Sequence, residues 1–148
     1  AVLMDSDTIC LGDVSDFGNY MTLAARWSHS VNFVKHKYEP KNETKFLGQI
    51  QTQYEKKLWS SLMIFNNAMC RKLTMEAVNY QDGLWLHQFK WTEDDRIGTI
   101  PHEWNWIPGH SQGTPKMVHF TEGGPWFDSD CAYSLEWFSE RENMLAAR

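Results

Sequence analysis

The sequence has no cysteine arrangement of the kind that staples a small domain or holds zinc. Its three cysteines, Cys10, Cys70 and Cys131, are odd in number and widely separated, with no Cys-x-x-Cys. A disulfide framework or zinc ribbon is therefore excluded as an expectation, and a reducing, cytoplasmic setting is expected instead. In that setting the single sequon, Asn42-Glu43-Thr44, is read as chance. No apolar run approaches the roughly 18 residues of a membrane span, so no span is expected. The first residues do not read as a signal peptide. Basic residues are in deficit, 14 against 19 acidic for a net charge of −5. The positive face that nucleic acid requires is missing, so no nucleic-acid partner is expected.

What is present is apolar and aromatic. The hydrophobic fraction of 42% and aromatic fraction of 14% belong to a folded globular chain, and 148 residues suit a single domain. Eight tryptophans are many for this length. Most serve a core of large rings; two or three are expected in an exposed cleft, where indole can stack on the C–H face of a pyranose. The lysines concentrate between Lys35 and Lys57, which reads as a solvated loop, with contact to an anionic acceptor as the other reading. The chain opens directly on Ala1-Val2-Leu3-Met4 with no polar lead-in, so the sequence is expected to be a fragment whose preceding residues are absent.

The pattern along the chain is that of an α/β fold. Residues 1–4 read as a short buried strand ending at Asp5-Ser6-Asp7, and Ile9 to Leu11 as a second apolar stretch. Residues 14–25 suit a short helix or a loop, and Ser30 to Val34 a strand. Lys35 to Lys45 reads as loop, and Phe46 to Lys57 is ambiguous. Trp59 to Phe65 is the best central strand, bounded by Asn66-Asn67. Ala68 to Tyr80 reads as helix with a possible restart near Thr74, and Asp82-Gly83 as a turn. The periodicity of Leu84 to Trp91 does not decide between strand and helix. Ile97 to Ile100 and Met117 to Phe120 are short strands. Asp128 or Asp130 is expected to cap a final helix reaching about Ala147.

Two stretches carry chemistry. In VLMDSDTICLGD an apolar strand delivers Asp5 and Asp7 to a sheet edge, where ligands bind in open α/β sheets. Two hard oxygen donors at this spacing suit Mg2+ or Mn2+ and leave positions for diphosphate oxygens. In KMVHFTEGGPWF a short strand delivers His119, a borderline metal ligand or phosphate donor. Gly123 and Gly124 then let backbone N–H groups approach an anion without a Cβ in the way. Haloacid-dehalogenase-type phosphatases also end a strand in Asp-x-Asp, which would make Asp5 a nucleophile. Here Ile9 stands where their Thr or Val falls, and no apolar strand precedes the acidic Glu93-Asp94-Asp95. A non-catalytic carbohydrate-binding module using the tryptophans is the alternative outside enzymes. Trp104-Asn105-Trp106 reads as a packed corner before an acceptor platform, and Trp85 and Trp91 read as core.

Taken together, DSDTICLGD, SSLMIFNN, IPHEWNW and VHFTEGGPWF occur in the order seen in retaining GT-A glycosyltransferases of the glycogenin and bacterial lipopolysaccharide galactosyltransferase kind. The likeness runs from Ala1 to about Phe127. It implies the C-terminal part of a GT-A fold, a mixed sheet flanked by helices, lacking the portion that holds the nucleotide base. It implies transfer of a hexose from a nucleotide-diphosphate sugar to a carbohydrate or other hydroxyl acceptor. Asp5, Asp7 and His119 would then hold Mn2+ (or Mg2+) against the donor diphosphate. Gly123 and Gly124, with Trp126 beyond them, would lie along the donor. His87-Gln88 sits at the family's Asp-Gln, close to the reacting carbon, with Gln88 matching and His87 replacing the acid. Asn66 and Asn67 would frame the sugars. The Lys that the family carries before Pro-Trp is replaced here by Gly124.

Overall fold

A computed structural model describes residues 1–37 and 54–147. The sequon at Asn42 and most of the segment between Lys35 and Lys57 lie outside the described residues. Six short strands and four helices follow in order: β1 (Val2–Met4), β2 (Thr8–Cys10), α1 (Asp16–Arg26), β3 (Val31–Phe33), β4 (Leu62–Phe65), α2 (Met75–Tyr80), α3 (Gly83–His87), β5 (Ile97–Thr99), β6 (Met117–His119) and α4 (Ser134–Ala146). The architecture is mixed α/β. One sheet runs β1-β4-β3-β5, with β4 antiparallel to both neighbours and β3 parallel to β5. A separate antiparallel pair joins β2 to β6. Among the described residues no helix is long and apolar enough to cross a membrane.

Alternation along β4 explains how the four-stranded sheet is held. Leu62 and Ile64 face one side and pack with Phe17, Val34, Ile100, Trp104 and Met117. Met63 and Phe65 face the other, against Val31, Phe33, Phe89, Trp91 and Ile97. Successive strand side chains point to opposite faces, so four residues serve both cores. α1 covers the first face through Phe17 and Ala24. On that face the buried Asn32 takes the place of an apolar residue. Its Nδ2 donates to the Tyr20 carbonyl at 3.1 Å, and its Oδ1 lies 3.0 Å from His29 Nδ1. Gly98 stands beside it because an added Cβ would fall 1.8 Å from Asn32 Oδ1. The β2–β6 pair has its own core, in which Ile9, Trp106, Val118 and Phe120 pack with Tyr133 and Trp137.

Several elements depart from the sequence expectations. Residues 1–4 form an edge strand and not a buried one: Leu3 and Met4 are exposed, and the described residues pair only one side of β1. Trp59–Ser61 is a turn of 3-10 helix, so the strand begins at Leu62. The helix expected from Ala68 is interrupted at Cys70, whose Sγ lies within hydrogen-bond reach of the carbonyls of Ser30 and Asn66. It restarts at Thr74, whose Oγ1 accepts from Ala77 N–H. Asp82 caps α3 in the same way, through Trp85 N–H at 2.7 Å, so the segment after it begins as helix. That helix ends at His87, and Phe89, at φ 57°, turns the chain so that Phe89 and Trp91 enter the core. α4 starts at Ser134, so neither Asp128 nor Asp130 caps it; Asp128 Oδ1 instead accepts from Asp130 N–H in a local turn. Near the expected loop, Lys35 Nζ donates to the Ile97 carbonyl and Lys56 pairs with Asp94, so these two are not simply solvated.

Candidate metal centre

Backbone pairing brings the two chemical stretches together. Asp5 N–H donates to Ser61 O at 2.8 Å, extending the β1–β4 ladder by one residue. Thr8 Oγ1 donates to the Asp5 carbonyl at 2.8 Å, which closes a tight turn into β2. β2 then pairs with β6 so that Thr8 lies opposite His119, and Phe120 N–H donates to Asp7 O at 2.9 Å. The outcome is that one ligand atom from each of Asp5, Asp7 and His119 lies within 4.8 Å of the other two. The expected trio shares one site, at the sheet edge where β1, β3 and β5 end.

The imidazole is held from behind. His119 is 2% exposed, and its Nδ1 lies 3.0 Å from Asn105 Oδ1. Asn105 is itself fully buried, and its Nδ2 donates to the Leu58 carbonyl and to Ser61 Oγ. The amide therefore presents oxygen to the histidine. An amide oxygen only accepts, so Nδ1 carries the proton in the neutral ring and Nε2 is left with its lone pair. Nε2 faces Asp7 Oδ1 at 3.5 Å. Two acceptors set face to face need a proton or a cation between them. Asp5 adds a second strain: its carboxyl is held above the usual aspartate range, chiefly by burial and secondarily by the Asp7 charge, with His119 and His87 acting the other way. Two carboxylate oxygens and one oriented imidazole nitrogen match the donor preference of a hard or borderline divalent ion such as Mn2+ or Mg2+.

The remaining expected residues divide. His87 is exposed at the end of α3, with Nδ1 3.0 Å from Ser60 Oγ, and it stands close enough to act on Asp5. Gln88 caps the same helix; its carbonyl accepts from Lys56 Nζ, and among the described residues its side chain makes no hydrogen bond to the aspartates. Asn66 and Asn67 are not brought to the site. They follow β4 at the opposite sheet edge, where Asn66 N–H donates to the Ser30 carbonyl. Five residues of roughly 3.3 Å rise separate them from Ser61. Gly123 and Gly124 follow β6 directly; Gly123 has φ 108° and bonds back to the Phe120 carbonyl. Gly124 is buried beneath Trp126, which is 41% exposed and packs edge-on against Phe120. Trp27 and Trp126 are the exposed tryptophans, while Trp91, Trp104 and Trp106 are core.

A Cβ on Gly124 would come within 2.5 Å of the Trp126 ring and 3.0 Å of Phe120. Gly124→Ala is accordingly expected to push Trp126 outward and cost about 1–3 kcal/mol, the usual range for overpacking. Chemical denaturation checks the cost, and Trp126 fluorescence in a chain with its other rings unchanged checks the cause.

Residues overlooked in the sequence complete the centre. Asn105 lies in IPHEWNW, one of the stretches singled out in the sequence, so a signal was present. His36 carries no motif. It is half-buried after β3, its carbonyl accepts from Trp59 Nε1 at 2.8 Å, and its Nε2 is buried without a hydrogen-bond partner. Burial, then the charges of His119 and His102, lower its pKa to about 4 against hydrogen bonding to Asn105. A neutral His36 adds no positive charge to repel a metal.

Fold and site thus define a mixed α/β protein with a candidate divalent-metal centre of two carboxylates and an imidazole. The chain is similar to Protein CDI of Arabidopsis thaliana, 38% identical over 153 residues that take in 96% of this chain. It spans 58% of that relative's length. No family model matches the chain. No solved structure matches it either.

Proposed function

We propose that the chain carries the metal-binding half of a GT-A-type glycosyltransferase, which moves a hexose from a nucleotide-diphosphate sugar to a hydroxyl acceptor. The observation that carries this reading is the convergence of Asp5, Asp7 and an oriented His119 Nε2 within 4.8 Å. Support also comes from the motif order and from the Gly123-Gly124 turn that follows His119 in the chain. A divalent ion held there would supply positive charge where the departing diphosphate becomes more negative. Asp5 and Asp7 hold negative charge at the site, and Asn105 fixes the His119 tautomer. Trp126 offers an exposed ring to the apolar face of a sugar, and His87 offers a hydrogen-bonding group at the rim.

The diphosphate is what such a metal grips, so the 148-residue chain can be tested directly. Free Mn2+ is followed by electron paramagnetic resonance, with and without uridine diphosphate or inorganic pyrophosphate, after subtracting Mn2+ bound to nucleotide alone. Mn2+ affinity for the chain is expected to rise about tenfold with diphosphate, equivalent to ~1.4 kcal/mol of coupling. Equal affinity in both conditions would overturn the transferase reading. Beryllofluoride capture at Asp5 would favour the phosphatase, and sugar binding indifferent to metal and nucleotide would favour the binding module.

A further inference from the structure

The sheet edge opposite the metal centre holds a cavity of about 410 Å3, lined by residues that precede β3, follow β4 and precede β5. The charged part of its lining is mostly cationic. Arg71, Lys72 and Arg96 face Glu93 as the one acidic group, in a chain whose net charge is −5. Lys72 and Glu93 pair at 3.2 Å. The guanidinium groups of Arg71 and Arg96 have no hydrogen-bond or ion-pair partner among the described residues. Both guanidiniums are left for water or an anion to satisfy.

The cavity floor is fixed. Thr92 Oγ1 donates to Ser30 Oγ at 2.9 Å, and Ser30 Oγ donates in turn to the Met69 carbonyl. Both hydroxyl protons are spent, so the arginines and Lys72 are the side-chain donors left for a ligand. Trp91, buried but for 4%, closes the wall. We propose that this cavity binds a small phosphomonoester. A tetrahedral dianion can take a bidentate contact from each of two planar guanidiniums. The volume lies within the roughly 300–1,000 Å3 range of small-molecule sites and exceeds what a bare phosphate group fills. The site lies a full strand away from Asp5, Asp7 and His119, and needs none of them.

The test is an amide NMR titration of the 148-residue chain with inorganic phosphate and with glycerol 3-phosphate. It is run at constant ionic strength without divalent ions, so the metal centre recruits nothing. Saturable shifts confined to the amides around Ser30, Arg71 and Arg96 are expected, with the ester binding more tightly than inorganic phosphate. Arg71→Gln or Arg96→Gln should weaken binding about tenfold each, and Glu93→Gln, which removes the opposing charge, should strengthen it. Shifts reproduced by chloride at equal ionic strength would overturn the proposal. So would shifts that both arginine variants leave unchanged, or equal binding of phosphate and ester. Amide spectra of the variants away from the cavity report whether the fold is intact.

Discussion

Asp7→Asn is expected to lower Mn2+ affinity by more than ~100-fold, because removing even a residue behind a ligand commonly costs 10–100-fold and Asp7 is itself a proposed ligand. The carboxylate contributes both an oxygen and a full negative charge within 4.8 Å of Asp5 and His119. Asparagine keeps the shape and an oxygen, so the loss reads the charge. The metal-free fold should not suffer, since Asp7 raises the Asp5 carboxyl by like-charge repulsion and its removal relieves that. Asp7→Asn should therefore melt no lower than the parent in chelator and gain less from added Mn2+. Asn105→Leu makes a contrasting variant. It leaves His119 in place but removes the oxygen that holds Nδ1–H, and an affinity loss of about 10–100-fold is expected. His87→Ala, at the rim, should leave metal affinity nearly unchanged. Calorimetry or paramagnetic titration orders the three. Parent-like affinity in Asp7→Asn would remove the shared centre.

Most of the strands were legible because their apolar runs are short and bounded by turn residues. Ser30 to Val34, Ile97 to Ile100 and Met117 to Phe120 each hold a strand within a residue or two of the expected ends. The grouping of Asp5, Asp7 and His119 was legible because Asp-x-Asp and His-x-x-x-Gly-Gly constrain chemistry more than conformation. What was illegible depended on partners distant in sequence. Nothing local says that β1 lies at an edge, or that Cys70 Sγ lies within reach of two carbonyls where the helix is interrupted. Asn66 and Asn67 were expected at the site through the resemblance alone. Yet β4 runs antiparallel to β1, so its end points away from Asp5. Strand direction is a property of the sheet and cannot be taken from one strand's sequence. Asn105 was visible as a motif residue, but its role behind His119 needed the distance between them.

His36 is expected to weaken the fold as pH falls. An unfolded histidine titrates near 6.5, whereas burial and the neighbouring imidazoles hold this one at about 4. Between those values the unfolded chain binds a proton that the folded chain refuses. Stability is thus fully present above about pH 6.5 and declines as pH falls toward 4. A gap of this size corresponds to about 3 kcal/mol, at ~1.4 kcal/mol per pH unit. Asp5 works against the decline: its folded carboxyl takes up a proton before an unfolded aspartate would, which favours the fold on acidification. The contribution of His36 is isolated by comparison with His36→Phe. Phenylalanine fills a similar space and removes the unpartnered Nε2, while the hydrogen bonding to Asn105 is lost at both pH values and so cancels in the comparison. Urea denaturation at pH 7 and at pH 4 should show the parent losing about 3 kcal/mol more than His36→Phe. Parallel profiles would mean that the folded protein admits the proton, and His36 would then stand as a charged neighbour of the metal centre.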